Sequence, residues 1–108
     1  MFSAAVKKAG VNPAAIGDIT VGNVLPAGGG ASAARMAALH AGIPNTVPIS
    51  TTNRQCASGL QAVNIIAGEI ASGQIDIGIG EYDSLYAFCR LLLMHVCYDV
   101  VKAPVSSP

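Results

Sequence analysis

The chain has 108 residues, six basic and six acidic side chains, and a formal net charge of zero. That length allows one domain at most, and the charge balance leaves no basic surface for nucleic acid. With 52% apolar and 11% charged residues the chain is too apolar to be disordered and is built to bury a core; the same scarcity of charge predicts poor solubility wherever strand edges stay open.

In chain order the pattern predicts a helix end (Ser3–Ala9), a short turn, a strand (Ile19–Leu25) and a Gly-rich loop. A helix (Ser32–Ala41), a strand (Val47–Thr52), a helix (Ala57–Ser72) and a strand (Ile75–Ile79) follow, and then a helix (Leu85–Val101). Asn12 before Pro13 reads as an N-cap with proline at the first helical position. Gly42 and Gly73 are helix stops. Pro48 lacks a backbone donor, which places its strand at a sheet edge or Pro48 near the strand start. Leu60, Val63, Ala67 and Ile70, with Ile66 beside them, form one face of the third helix. Alternating strands and helices mean α/β layers, and a strand–helix–strand crossover normally joins parallel strands with a right-handed turn.

Cys56 stands between the Val47–Thr52 strand and the helix after it. Open α/β sheets place ligands at that end of a strand. A thiol at a helix N-terminus faces unpaired N–H groups and the positive end of the dipole, and both favour the nucleophilic thiolate. The alternative is a buried structural cysteine, since Cys is among the most buried residue types. Gly59 lets another backbone or a substrate come close.

Other constellations carry less. Gly28-Gly29-Gly30-Ala31-Ser32-Ala33 fits a dinucleotide fingerprint, but Ser50, Thr51 and Thr52 stand where an acidic ribose ligand is needed, so a turn into a helix is the better reading. Arg54 could pair with a phosphate or hold a structural salt bridge. His40 reads as a surface residue compatible with a helix end. Asp76, Glu69 and Glu81 read as solvated. Cys89 and Cys97 are too few for a structural zinc site, and three cysteines leave one over from any disulfide framework, which suggests a reducing compartment. Leu85–Val101 carries Arg90, His95 and Asp99 and reads as a buried or amphipathic helix, not a membrane span. Met1–Gly10 has no secretory pattern, and the final Ser106-Ser107-Pro108 is not a peroxisomal Ser-Lys-Leu ending.

Asn53-Arg54-Gln55-Cys56-Ala57-Ser58-Gly59-Leu60-Gln61-Ala62 resembles the nucleophile segment of the thiolases, above all the 3-ketoacyl-CoA thiolases of the peroxisomal, β-oxidation type. Asp18–Leu25, Ala34–Ala38 and Ile43–Pro48 are similar to the family's second strand, the helix after it and the approach to the nucleophile strand. The resemblance runs to Gly80. It implies part of the thiolase N-terminal half, with layered parallel-sheet βαβ units over residues 1–80 and a divergent helical tail over 81–108. It implies thiolytic cleavage of 3-ketoacyl-CoA to acyl-CoA and acetyl-CoA, with Cys56 as the residue that carries the acyl thioester. It also implies a peroxisomal homodimer that acts on CoA thioesters with coenzyme A as co-substrate and needs no metal or prosthetic group.

The pattern breaks elsewhere. The family base is a histidine in a Gly-His-Pro setting, and the family acid is a cysteine followed by Gly. Here His40 precedes Ala41, His95 precedes Val96, Cys89 precedes Arg90 and Cys97 precedes Tyr98. Only the nucleophile carries over, and the chain is expected to lack turnover alone. Two alternatives are a noncatalytic fragment that associates with full-length thiolase through the Val47–Thr52 strand, and a small nucleotide-binding domain using Gly28–Gly30. The tail after Gly80 is hypothesised to come from a changed reading frame, a retained intron or an alternative exon; a set of full-length relatives sharing it would refute that origin. The resemblance further places a strand, which the chain does not contain, between the strands matching Ile19–Leu25 and Ile75–Ile79. Those two strands must then close the gap or stay poorly paired.

Overall fold

The β-branched runs and the small-residue helices assemble into one four-stranded sheet with helices on both faces. The structure is a computed structural model and describes residues 2–82 and 98–102. The elements are α1 (Phe2–Ala9), β1 (Asp18–Gly22), α2 (Ala31–His40), β2 (Ile49–Thr52), α3 (Ser58–Ala71), β3 (Ile77–Tyr82) and β4 (Tyr98–Lys102). Short 3₁₀ turns occupy Pro13–Ala15 and Ala27–Gly30. The first of these is capped as expected: the Asn12 side chain accepts a 3.0 Å hydrogen bond from the Ala14 N–H.

The sheet order is β2-β1-β3-β4. β1 is parallel to β2, with Ile19 opposite Ile49, and parallel to β3, with Ile19 opposite Ile79. The two strands expected to flank a missing neighbour are therefore paired with each other. Pro48 directly precedes β2, and β2 is an edge strand, so both readings of that proline hold.

β4 lies antiparallel on β3, with Val100 opposite Ile79. This corrects the helix drawn over Leu85–Val101 at its C-terminal end; the remainder of that helix lies outside the described residues. Tyr98-Asp99-Val100-Val101 is β-branched and aromatic enough to pair along the otherwise open side of β3. β3 itself runs on through Glu81 and Tyr82.

Alternation along β1 and β3 separates two packing surfaces. Ile19, Val21 and Ile79 point into a buried cluster with Phe2, Ile16, Ala38, Ile43 and Val47, on the side of α1 and α2. Arg35 ties α2 to the approach of β2 by donating a 2.7 Å hydrogen bond to the Val47 carbonyl. The opposite surface is built from Thr20, Gly22, Gly78 and Gly80, and α3 lies on it. A Cβ on Gly80 would stand 2.7 Å from the Val63 Cα, and a Cβ on Gly78 would stand 2.6 Å from the Ile66 side chain. The missing side chains bring α3 against the strand backbone.

That close approach revises the helix face read from spacing. The buried residues of α3 are Ser58, Ala62 and Ile66, one turn apart, whereas Leu60 is 64% exposed. A sheet surface made of glycines accepts small side chains, so the contact stripe follows Ser58 and Ala62 and leaves the larger Leu60 outside.

Candidate functional site

The loops that leave β1 and β2 meet at the C-terminal end of the parallel strands. The Asn23 N–H donates to the Thr52 carbonyl at 2.9 Å, and the Asn53 side chain donates to the Val24 carbonyl at 3.4 Å. Asn23 is itself buried and donates through its amide to the Gly29 carbonyl. Gly28, Gly29 and Gly30 have φ of 66°, 74° and 70°, three successive left-handed residues that turn the chain into α2. L-residues with side chains rarely adopt this conformation, which explains the glycine run without invoking a nucleotide.

From Thr52 the chain reaches α3 through a tight turn that carries Cys56. The Asn53 side-chain oxygen accepts from the Gln55 N–H at 3.0 Å, an Asx turn. Gln55 then takes φ of 51°, the one left-handed residue other than glycine among the described residues. The Ala57 and Ser58 N–H groups donate to the Arg54 and Gln55 carbonyls, both at 3.1 Å. Cys56 follows the left-handed residue and is exposed, two positions ahead of the first helical residue. Its thiol is free and can meet an electrophile arriving from outside the sheet.

The side chain that closes this turn is Ser58, which is fully buried. Its hydroxyl donates to the Gln55 carbonyl at 2.6 Å and accepts from the Arg54 N–H at 2.8 Å. The Ser58 backbone is pressed against β1, since a Cβ on Gly22 would lie 2.7 Å from the Gly59 nitrogen and closer still to the Ser58 carbonyl. The sequence points to the helix-start groups from Cys56 to Ser58 as ones that orient the thiol, but not to the left-handed Gln55 or to the Ser58 hydroxyl that grips it. A hydroxyl two residues after the cysteine, preceded by Asn53 and Gln55, was the available signal for a side-chain-locked turn.

The remaining expectations divide. Gly59 does permit a close approach, but the neighbour is β3: a Cβ there would lie 2.8 Å from the Tyr82 Cβ. The exposed Arg54 guanidinium donates to the Gln61 side-chain oxygen at 2.5 Å, a hydrogen bond between the turn and the first turns of α3. His40 is exposed at the end of α2. Because α2 runs back from the C-terminal end of β1 to the start of β2, that histidine lies at the opposite end of the sheet from Cys56. Cys89, Arg90, His95 and Cys97 lie outside the described residues. No group of three or more His, Cys, Asp or Glu side chains arranged for a metal occurs among the described residues.

Two carboxylates read as solvated are not. Glu81 is 3% exposed, because it is part of β3 on the core side of the sheet. Glu69 is half-buried beside Asp18, and its carboxyl is raised above the ordinary carboxylate range. Loss of water around the carboxyl is the largest cause, followed by the Asp18 charge and a hydrogen bond to Asp18. Asp76 is exposed, as expected.

Comparisons with known proteins converge on one family. The family model described as thiolase, N-terminal domain, matches residues 1–81. The peroxisomal 3-ketoacyl-CoA thiolase of Yarrowia lipolytica is 59% identical over 75 residues, which cover 69% of this chain and 18% of that protein. The dimeric peroxisomal thiolase of Saccharomyces cerevisiae is 52% identical with a TM-score of 0.59, covering 60% of this chain and 16% of that one. A second structure of the yeast peroxisomal enzyme, described as five layered and built from two core domains of identical topology, has a TM-score of 0.63 at 45% identity over 70% of this chain and 21% of that one. The Acat5 thiolase of Ascaris suum, solved in complex with coenzyme A, is 26% identical with a TM-score of 0.70, covering 95% of this chain and 28% of that one. The chain spans under a fifth of the length of the curated relatives it matches. With three quarters of its residues matching the family's N-terminal domain and its sheet and helices following the family's solved structures, the chain belongs to the thiolase family.

Proposed function

We propose that this chain carries the acyl-accepting segment of a 3-ketoacyl-CoA thiolase of peroxisomal fatty-acid β-oxidation, with Cys56 as the nucleophile. The observation that carries this reading is the placement of Cys56: exposed, at the C-terminal end of parallel strands, in a turn locked by its neighbours. In the reaction the Cys56 sulfur attacks the 3-keto carbon of a 3-ketoacyl-CoA. The C2–C3 bond breaks, the acyl group stays on sulfur as a thioester, and the departing acetyl-CoA enolate takes up a proton. The sulfur of free coenzyme A then takes the acyl group and frees Cys56.

Completing that cycle requires a base for the thiol and an acid for the enolate. The sequence holds neither a Gly-His-Pro nor a Cys-Gly setting. The chain by itself is therefore proposed to be without turnover, since catalytic groups that act as a unit fail together. Incubation with acetoacetyl-CoA and coenzyme A tests this directly, and Cys56-dependent release of acetyl-CoA would refute it. The role of Cys56 is tested by peptide mass spectrometry after exposure to acetyl-CoA. An acetyl thioester on Cys56 supports the assignment, and acetylation spread over other sites refutes it.

A second reading is a noncatalytic fragment that associates with full-length thiolase subunits. It is favoured by the edge position of β2, one side of which has no partner strand among the described residues. Co-purification with a full-length subunit is the discriminating measurement.

A further inference from the structure

We propose that Ser58 is a positioning residue for Cys56, acting through the left-handed backbone of Gln55. This rests on the reading of Cys56 as the nucleophile, but its test does not depend on acyl transfer. Gln55 has φ of 51°. For a residue with a Cβ that conformation is unfavourable and persists only where the surroundings impose it.

The surroundings that impose it centre on one hydroxyl. Ser58 Oγ donates to the Gln55 carbonyl and accepts from the Arg54 N–H, so it grips the peptide units on both sides of the left-handed residue's neighbourhood. The Ser58 N–H donates to the same Gln55 carbonyl, which therefore receives two hydrogen bonds from one residue. Ser58 is fully buried, and its backbone is fixed by the close approach of Gly22. The sheet holds Ser58, Ser58 holds Gln55, and the direction in which the chain leaves Gln55 decides where the Cys56 sulfur stands. Cys56 is exposed and its thiol is free, so its position follows from this backbone grip.

The test is a double-mutant cycle with Ser58→Ala and Gln55→Gly in the full chain. The reading is the iodoacetamide alkylation rate of Cys56, followed by peptide mass spectrometry so that Cys89 and Cys97 are counted separately. Glycine adopts a left-handed φ at no steric cost, so Gln55→Gly keeps the turn without help. Ser58→Ala alone is expected to move the Cys56 rate by about threefold to tenfold, the equivalent of one hydrogen bond. In the Gln55→Gly background the same substitution is expected to move it by less than about twofold. In parallel, the amide-to-Hα coupling and NOE of Gln55 by NMR are expected to lose their left-handed signature in Ser58→Ala. If Ser58→Ala has equal effects in both backgrounds, or leaves the Gln55 φ in place, Ser58 is only a packing residue and the proposal is overturned. Should Ser58→Ala fail to fold, Ser58→Thr, which keeps the hydroxyl, must retain the left-handed signature for the proposal to stand. Failure of Cys56 to accept an acyl group would refute the nucleophile and leave this coupling measurable.

Discussion

Gly22 at the end of β1 is in van der Waals contact with the backbone of Ser58 at the head of α3, and no side chain fits between them. The turn that presents Cys56 is thereby seated directly on the sheet. A methyl group at position 22 has to displace the first turn of α3.

Gly22→Ala is therefore expected to destabilise the fold by about 1–3 kcal/mol, the usual cost of overpacking. Gly80→Ala should fall in the same range, because its Cβ would meet the Val63 backbone at 2.7 Å. Urea unfolding followed by circular dichroism measures both. Wild-type stability in Gly22→Ala would mean that α3 does not lie flush on β1.

Gly68 gives the opposite sign. It sits inside α3, is exposed, and would place its Cβ in open space. Gly68→Ala is expected to stabilise the chain by about 0.5–1 kcal/mol through helix propensity alone. The same unfolding measurement checks it, and a loss of stability would show that the outer face of α3 is covered.

Glu69, beside Asp18, is expected to make folding depend on pH. The folded carboxyl of Glu69 lies above its unfolded value of 4.5, so the folded chain binds that proton more tightly. The resulting stabilisation is complete below 4.5 and is lost as pH rises through the raised folded value. Glu69→Gln should flatten this dependence and raise stability above the window, where the wild type opposes two charges. Thermal midpoints between acid and neutral pH in the two proteins test it, and parallel profiles would exclude the pair as the source.

Thr51 tests association through β2. The Thr52 carbonyl accepts from Asn23 in β1's loop, so Thr52 faces β1 and Thr51, one residue earlier, turns its N–H and carbonyl to the open edge. Thr51→Pro removes an edge donor while leaving the Thr52 link to Asn23. Co-purification with a full-length thiolase subunit is expected to drop by about tenfold, as when a few edge hydrogen bonds are lost. Unchanged co-purification would place the contact elsewhere.

Much of this was legible in advance, for local reasons. Asn12 and Pro13, the stops at Gly42 and Gly73, and the β-branched run ending at Thr52 act within a few residues of themselves. The decapeptide around Cys56 was sufficient to point to the thiolases. The illegible parts involve partners distant in sequence. Spacing puts Leu60 on the packed face because it cannot show that glycines 22, 78 and 80 form the opposing surface. Nothing near Glu69 in the sequence marks it as other than solvated, because Asp18 is brought to it only by the crossing of α3 over β1.

The sequence alone therefore determined the family, the strand–helix alternation and the position of the thiol in the chain, all of which rest on residue type and short-range spacing. Tertiary structure decided that β1 and β3 pair directly, that Tyr98–Lys102 extends the sheet, and that a buried Ser58 holds Gln55 in a left-handed conformation. Strand order and backbone grip are products of long-range hydrogen bonding and close packing, and these exist only once the chain has closed on itself.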